Sequence, residues 1–197
     1  MIKYQLKILN KASVWLACLI CILFPFFFSL KYLNLGELTL YGEKYFIIIG
    51  MIILPDLMVT EIELSDVIYQ TPSIHSKTFI IRLFIAVIII GVLLMGLFLY
   101  AGMNHSELSI DLFIAILITS TFVGLLGLVM AQFTNQASGF LLTFSYYTLD
   151  LMTKGRYFSV FTLRSFESGG LESKMPLLVA SLSIVCFLAC YFYRLRK

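Results

Sequence analysis
A chain of 197 residues, 60% hydrophobic and 13% charged, with a mean hydropathy of +0.98, has too little polar surface to clothe a soluble globule of its size. This excludes a water-soluble enzyme, and a net charge of only +3, spread beside apolar segments, excludes a basic face for nucleic acid. At about 20 apolar residues per crossing, the chain has room for roughly six helical spans, short connections and no soluble domain, so it reads as one all-α transmembrane domain covering 1–197.

In chain order the apolar segments fall at 12–30, 45–58, 79–101, 112–131, 137–152 and 175–193. The first is longer than the apolar core of a signal peptide and lacks a small-residue cleavage site, so a span is expected there. Pro25 within it removes a backbone donor and predicts a kink. The second and fifth segments are short for a crossing at about 1.5 Å per residue. They must recruit flanking residues, thin the bilayer or pack inside the bundle. Asp56, directly after Pro55, is an ionisable group in a span and on that ground a candidate for gating.

The segment after the second span, Thr60 to Arg82, reads TEIELSDVIYQTPSIHSKTFIIR. Thr60 and Glu63 have the spacing of a capping box, which predicts a helix start. Ile62, Leu64, Val67, Ile68 and Thr71 form a mostly apolar face opposite Glu61, Glu63, Ser65, Asp66 and Gln70, and Pro72 favours a helix end before it. The expectation is a short amphipathic helix over about 60–72, then a polar turn and a basic re-entry at Lys77 and Arg82. Such a helix can lie on headgroups as a plain connector, but an acidic helix matches an anionic leaflet poorly. A protein partner fits it better.

Further along, ten residues join spans three and four, and five join four and five, which makes those neighbours antiparallel. Both termini then lie on one side, with Lys3, Lys7, Lys11, Lys77, Arg82, Arg194, Arg196 and Lys197 against Lys31, Lys44, Lys154, Arg156, Arg164 and Lys174 on the other. The bias places the termini in the cytoplasm. Cys18 and Cys21 share a face of the first span, and Cys186 and Cys190 one of the last; a four-thiolate site is conceivable, but ordinary apolar packing is expected, and no metal is assigned. His75 and His105 have no ligand-spaced companion and read as loop residues. No phosphate-cradling Gly-x-x-x-x-Gly-Lys-Ser/Thr string occurs, and the motifs of intramembrane proteases are absent, so no catalytic residue is assigned.

The acidic-apolar helix followed by Thr71-Pro72 and a basic entry into span three resembles the coupling-helix region of type-2 exporter-like permease subunits of ATP-binding-cassette transporters. LLGLVMAQFTNQASGFLLTF, from Leu125 to Phe144, is similar to the small-residue span four, polar break and span five of that family, and RYFSVFTL, from Arg156, to its aromatic external segment. The chain is shorter than most such permeases, and the family's N-terminal amphipathic helix corresponds here only to residues 2–10. The resemblance implies a multi-pass plasma-membrane permease that pairs with a second permease chain and docks cytoplasmic ABC ATPase subunits. ATP and Mg would then be bound by the ATPase, and this chain would carry no cofactor. Glu61, Glu63, Asp66, Val67, Tyr69, Thr71 and Pro72 would couple to the ATPase. Because spans one, two and five border the path in that family, Phe27, Phe28, Phe140, Phe144 and Tyr147 become candidate path residues for an amphipathic peptide, lipid or hydrophobic drug. Lipid-facing packing accounts for the same rings. The rival readings are a vitamin-binding subunit of an energy-coupling-factor importer, which Trp15 and the Phe-Pro-Phe-Phe-Phe run fit poorly, and a membrane immunity or scaffold protein.

Overall fold
The computed structural model describes residues 11–27, 34–57, 72–103, 109–152, 166 and 169–194. All regular structure among them is helical: α1 (Lys11–Phe27), α2 (Leu35–Tyr41), α3 (Ile48–Ile53), α4 (Pro72–Met103), α5 (Ile110–Phe133), α6 (Gln136–Met152) and α7 (Met175–Arg194), with shorter π and 3-10 pieces at Gly42–Phe46, Pro55–Leu57 and Gly170–Lys174. Three stretches are long and apolar enough to cross a bilayer, namely Phe79–Met103, Ile110–Phe133 and Gly170–Tyr191, while Ala12–Pro25 is apolar but shorter.

The second apolar segment is longer than its hydropathy suggests. Asn34 caps it: its Oδ1 accepts from the Glu37 N–H at 2.8 Å, and Glu37 reaches back to the Asn34 N–H at 3.3 Å, a full capping box. From there the backbone stays helical through α2, the π turn, α3 and the final 3-10 turn; the junction residues Tyr41, Ile47 and Leu54 all keep right-handed helical angles. At about 1.5 Å per residue, residues 35–57 reach roughly 34 Å. The helix that contains the apolar segment 45–58 therefore begins at 35, and flanking residues up to Lys44 join the rod. Likewise, residues 72–78, expected as a polar turn, are the first two turns of α4. Proline suits the first helical position because its missing N–H would be unpaired there anyway.

α5 is the centre of the bundle. Of its apolar window 61% is buried, against 33% for Phe79–Met103 and 17% for Gly170–Tyr191, so α5 is the most enclosed of the three while the other two keep broad apolar surfaces outward. It packs against α3, α4, α6, α7 and the short pieces beside them. Small residues permit the close approach to the 35–57 rod: a Cβ on Gly124 would stand 2.5 Å from the Gly50 carbonyl oxygen, and one on Gly50 would overlap the Ser120 carbonyl. Between apolar helices in lipid, such small-residue contact and interhelical hydrogen bonding take the place of a hydrophobic driving force. Ser120 supplies the hydrogen bonds. Its Oγ accepts from the Gly50 N–H at 3.1 Å and donates to the Ile47 carbonyl at 3.3 Å, satisfying backbone where the rod passes from π to α geometry.

α5 and α6 form a tight antiparallel hairpin. Thr134 closes the first helix, its N–H and Oγ both donating to the Met130 carbonyl, and Asn135 Oδ1 accepts from the Ser138 N–H at 2.8 Å to open the second. A Cβ on Gly139 would lie 2.6 Å from the Ala131 nitrogen, which marks the closest crossing. Hydroxyls elsewhere in these helices turn back on their own backbone, as Thr119 does to Ala115 and Thr143 to Gly139, so they need no water in an apolar setting.

Candidate functional site
The start of α1 and the end of the 35–57 rod meet through one polar contact. Ser13 Oγ donates to Asp56 Oδ2 at 2.6 Å, and both side chains are buried, Asp56 to 3% exposure. The 3-10 turn after Pro55 presents Asp56, because proline cannot donate back into the helix it follows. A hydrogen bond to a charged group is worth about 1.5–3 kcal/mol, so the contact helps to tie the two helix ends together.

Beside it runs a partly open cleft of about 530 Å³, within the range of small-molecule sites. One wall is α1, with Ala12, Ser13, Leu16 and Ile20; the second is the rod, with Ile48, Met51, Ile52, Pro55 and Asp56; the third is the start of α6, with Ala137 and Phe140. Asp56 is the only ionisable group among these lining residues. The cleft is thus an apolar trough with one acidic corner.

The far ends of the same helices are closed by rings. Phe24 of α1 lies 6.3 Å from Tyr41, 5.2 Å from Tyr45 and 5.3 Å from Phe46 between centroids. Phe46 continues to Phe98 of α4 at 6.3 Å, and Phe98 to Phe113 of α5 at 5.4 Å. Tilted and edge-on contacts at these separations suit the ring quadrupoles. Beyond them, Asp150 at the end of α6 and Lys174 before α7 are both buried, and the Lys174 ammonium acts electrostatically on the Asp150 carboxylate.

The residues expected at the site fare unequally. Asp56 and Phe140 stand together at the cleft. Phe144 stacks on Phe140 at 5.9 Å, with ring planes 16° apart, but is itself exposed, and Tyr147 is buried in the core. Phe27 ends α1, and Phe28 lies outside the described residues, as do Glu61, Glu63, Asp66, Val67, Tyr69 and Thr71 of the expected coupling helix. Pro72 begins α4. Among the described residues no group of three or more ligand-type side chains comes together. Cys18 and Cys21 are half-buried on α1, whereas Cys186 and Cys190 are exposed on α7.

Three features escaped the sequence reading. Arg82, counted as a basic re-entry residue, is buried to 3% exposure, and Lys174, counted among external cations, to 0%. Burial thus takes one residue from each side of the topology count, and the rod takes Lys44 from the external side as well. Asp150 is a second acid inside an apolar helix, legible from its position in the 137–152 segment. Ser13 had no signal at all, since a serine near the start of an apolar helix has many possible fates.

No protein-family model, curated protein or solved structure matches the chain. Fold and site together define a class: a helical membrane-associated protein with three helices of spanning length and an apolar, acid-cornered cleft between helix ends.

Proposed function
We propose that the chain is the six-span permease subunit of an ATP-driven exporter of the ATP-binding-cassette type, one half of a substrate path completed by a second permease chain. α1, the 35–57 rod, α4, α5, α6 and α7 are the six spans, with both termini in the cytoplasm. Cytoplasmic ATPase subunits bind ATP and Mg and dock on the 60–72 segment. The observation that supports this reading is the composition of the cleft, whose walls come from the first, second and fifth spans, the set that borders the path in the family the sequence resembles.

The coupling segment follows directly on the 3-10 turn that carries Pro55 and Asp56. A displacement of that segment by the ATPase therefore acts on a wall of the cleft. With a partly open cleft and rings packed around Phe24 toward the other end of α1 and the rod, the arrangement suits alternating exposure of a path, and the work is mechanical coupling without a covalent step.

The test is reconstitution. The chain purified in mild detergent should bring down an ATPase, and Glu61→Lys with Glu63→Lys should leave it inserted and folded while uncoupling the partner's hydrolysis from efflux in proteoliposomes. Undiminished efflux in the double variant, or transport by the chain without any ATPase, would remove the exporter reading.

A further inference from the structure
We infer that the π turn at Gly42–Phe46 is a gate at the ring-packed end of the rod: passing from π to α geometry, it turns α2 about its axis and takes Tyr41 off Phe24. The gate's part in transport rests on the permease reading, while the change of register is a property of this chain alone.

The rings show what the turn does. Phe24 of α1 meets Tyr41, Tyr45 and Phe46 together. In an α-helix residues 41 and 45 share a face, but residues 41 and 46 stand roughly 140° apart around the axis, too far to meet one ring. An i→i+5 turn holds about one residue more than an α turn, which carries residue 46 back beneath residue 41. The π turn is thus what gathers three rings on Phe24, and single π turns of this kind occur often at functional sites.

The two sides of the turn are held unequally. After it, Ser120 of α5 bonds the Gly50 N–H and the Ile47 carbonyl, Gly50 lies against the Ser120 backbone, and Phe46 is buried against Phe98 of α4. Before it, α2 packs among the described elements mainly on the turn itself. At the join the Gly42 N–H is shared between the Leu38 and Thr39 carbonyls, so the hydrogen-bond pattern changes register at a residue with no side chain to hinder it. With α3 fixed, passing to α geometry turns α2 by about 100°, one residue's angle. That brings Leu40, now 43% exposed, toward the bundle, sends Leu38, now 0% exposed, outward, and parts Tyr41 from Phe24. One leucine replaces another inside, so the apolar area buried changes little between the two arrangements.

The test uses the full chain in nanodiscs with no ATPase present, free of its native cysteines and carrying a trifluoromethyl tag on Leu40→Cys. Its fluorine spectrum should show a main signal and a minor one of about 1–10%, linked by saturation transfer. The same tag on Met103→Cys, at the end of α4, should give one signal. Deleting Lys44 leaves residues 41 and 46 four apart on one α face, so the three rings stay on Phe24 without a π turn and the minor signal should vanish. Phe24→Ala removes the ring that holds the closed form and should raise the minor signal severalfold, and it carries the test if the deletion does not insert. One signal in both the parent and Phe24→Ala, or a minor signal that survives the deletion as fraying of α2 would, overturns the inference. A register change in a chain that captures no ATPase keeps the two forms and removes the permease reading; ATPase-coupled efflux undiminished by the Lys44 deletion removes the gate and leaves the permease reading in place.

Discussion
Asp56 and Ser13 join two helix ends that the chain separates by 43 positions, and this makes their contact testable one atom at a time. Ser13→Ala removes the donor but leaves the carboxylate buried, so unfolding in detergent should move by about 1–3 kcal/mol toward instability. Ser13→Thr, which keeps the hydroxyl, should recover most of that loss. Equal stability of the Ala variant and the parent would mean that the contact does not hold the helix ends together. The cysteines present the opposite case. Cys186 and Cys190 are exposed, Cys18 and Cys21 half-buried, and no grouping of ligands surrounds them among the described residues. Replacing all four by Ala or Ser should leave folding and transport within a few-fold of the parent; stoichiometric bound metal lost on substitution at Cys18 or Cys190 would contradict this.

At the level of elements, the seam between α5 and the 35–57 rod is the most sensitive place in the fold. Gly124→Leu would drive a side chain into the Gly50 carbonyl and Leu54, whereas nothing lies within 4 Å of a Cβ on Gly96. Overpacking of a tight contact costs about 1–3 kcal/mol or more, so Gly124→Leu should lower folded yield and thermal stability sharply while Gly96→Leu changes neither. Matching behaviour of the two variants would show that backbone approach is not what joins these helices. The rod also shows what a hydropathy scan overlooks. Its first ten residues contain Glu37, Thr39, Gly42, Glu43 and Lys44, too polar for an apolar window, yet Asn34 and Glu37 form the same type of capping box expected at Thr60 and Glu63. That local signal was legible. The contact just after the π turn at Gly42–Phe46 was not, because it brings in Ser120, a residue 70 positions beyond Gly50.

For the whole molecule, the helices alternate in direction, so their ends fall into two sets. Residues 12, 56, 134 and 137 belong to the end that holds the acidic corner of the cleft, and 37, 111 and 152 to the opposite end. In a background without the four native cysteines, Glu37→Cys, Asp111→Cys and Met152→Cys should react with an impermeant thiol reagent from outside intact cells, and Thr134→Cys only after permeabilisation. Mixed accessibility among Glu37→Cys, Asp111→Cys and Met152→Cys would exclude the six-span arrangement. Trp15, the single tryptophan of the chain, is 71% exposed on α1 beside apolar neighbours, and brominated lipids should quench its emission strongly if that face meets the bilayer.

The all-helical class, the apolar lengths near 79–103 and 110–133, and the break at Thr134–Asn135 were determined by the sequence, because hydropathy, helix capping and backbone satisfaction act over a few neighbouring residues. Tertiary structure alone decided which polar groups were taken inside. Arg82 and Lys174 look like surface cations in the chain and are buried in the fold, and Ser13 meets Asp56 only because α1 packs on the rod. Burial of a charge depends on partners brought from distant positions, since an isolated ion in apolar surroundings is far more costly than a compensated one. The cleft has the same origin: it is the space left where three helix ends converge, and no one of those helices contains it.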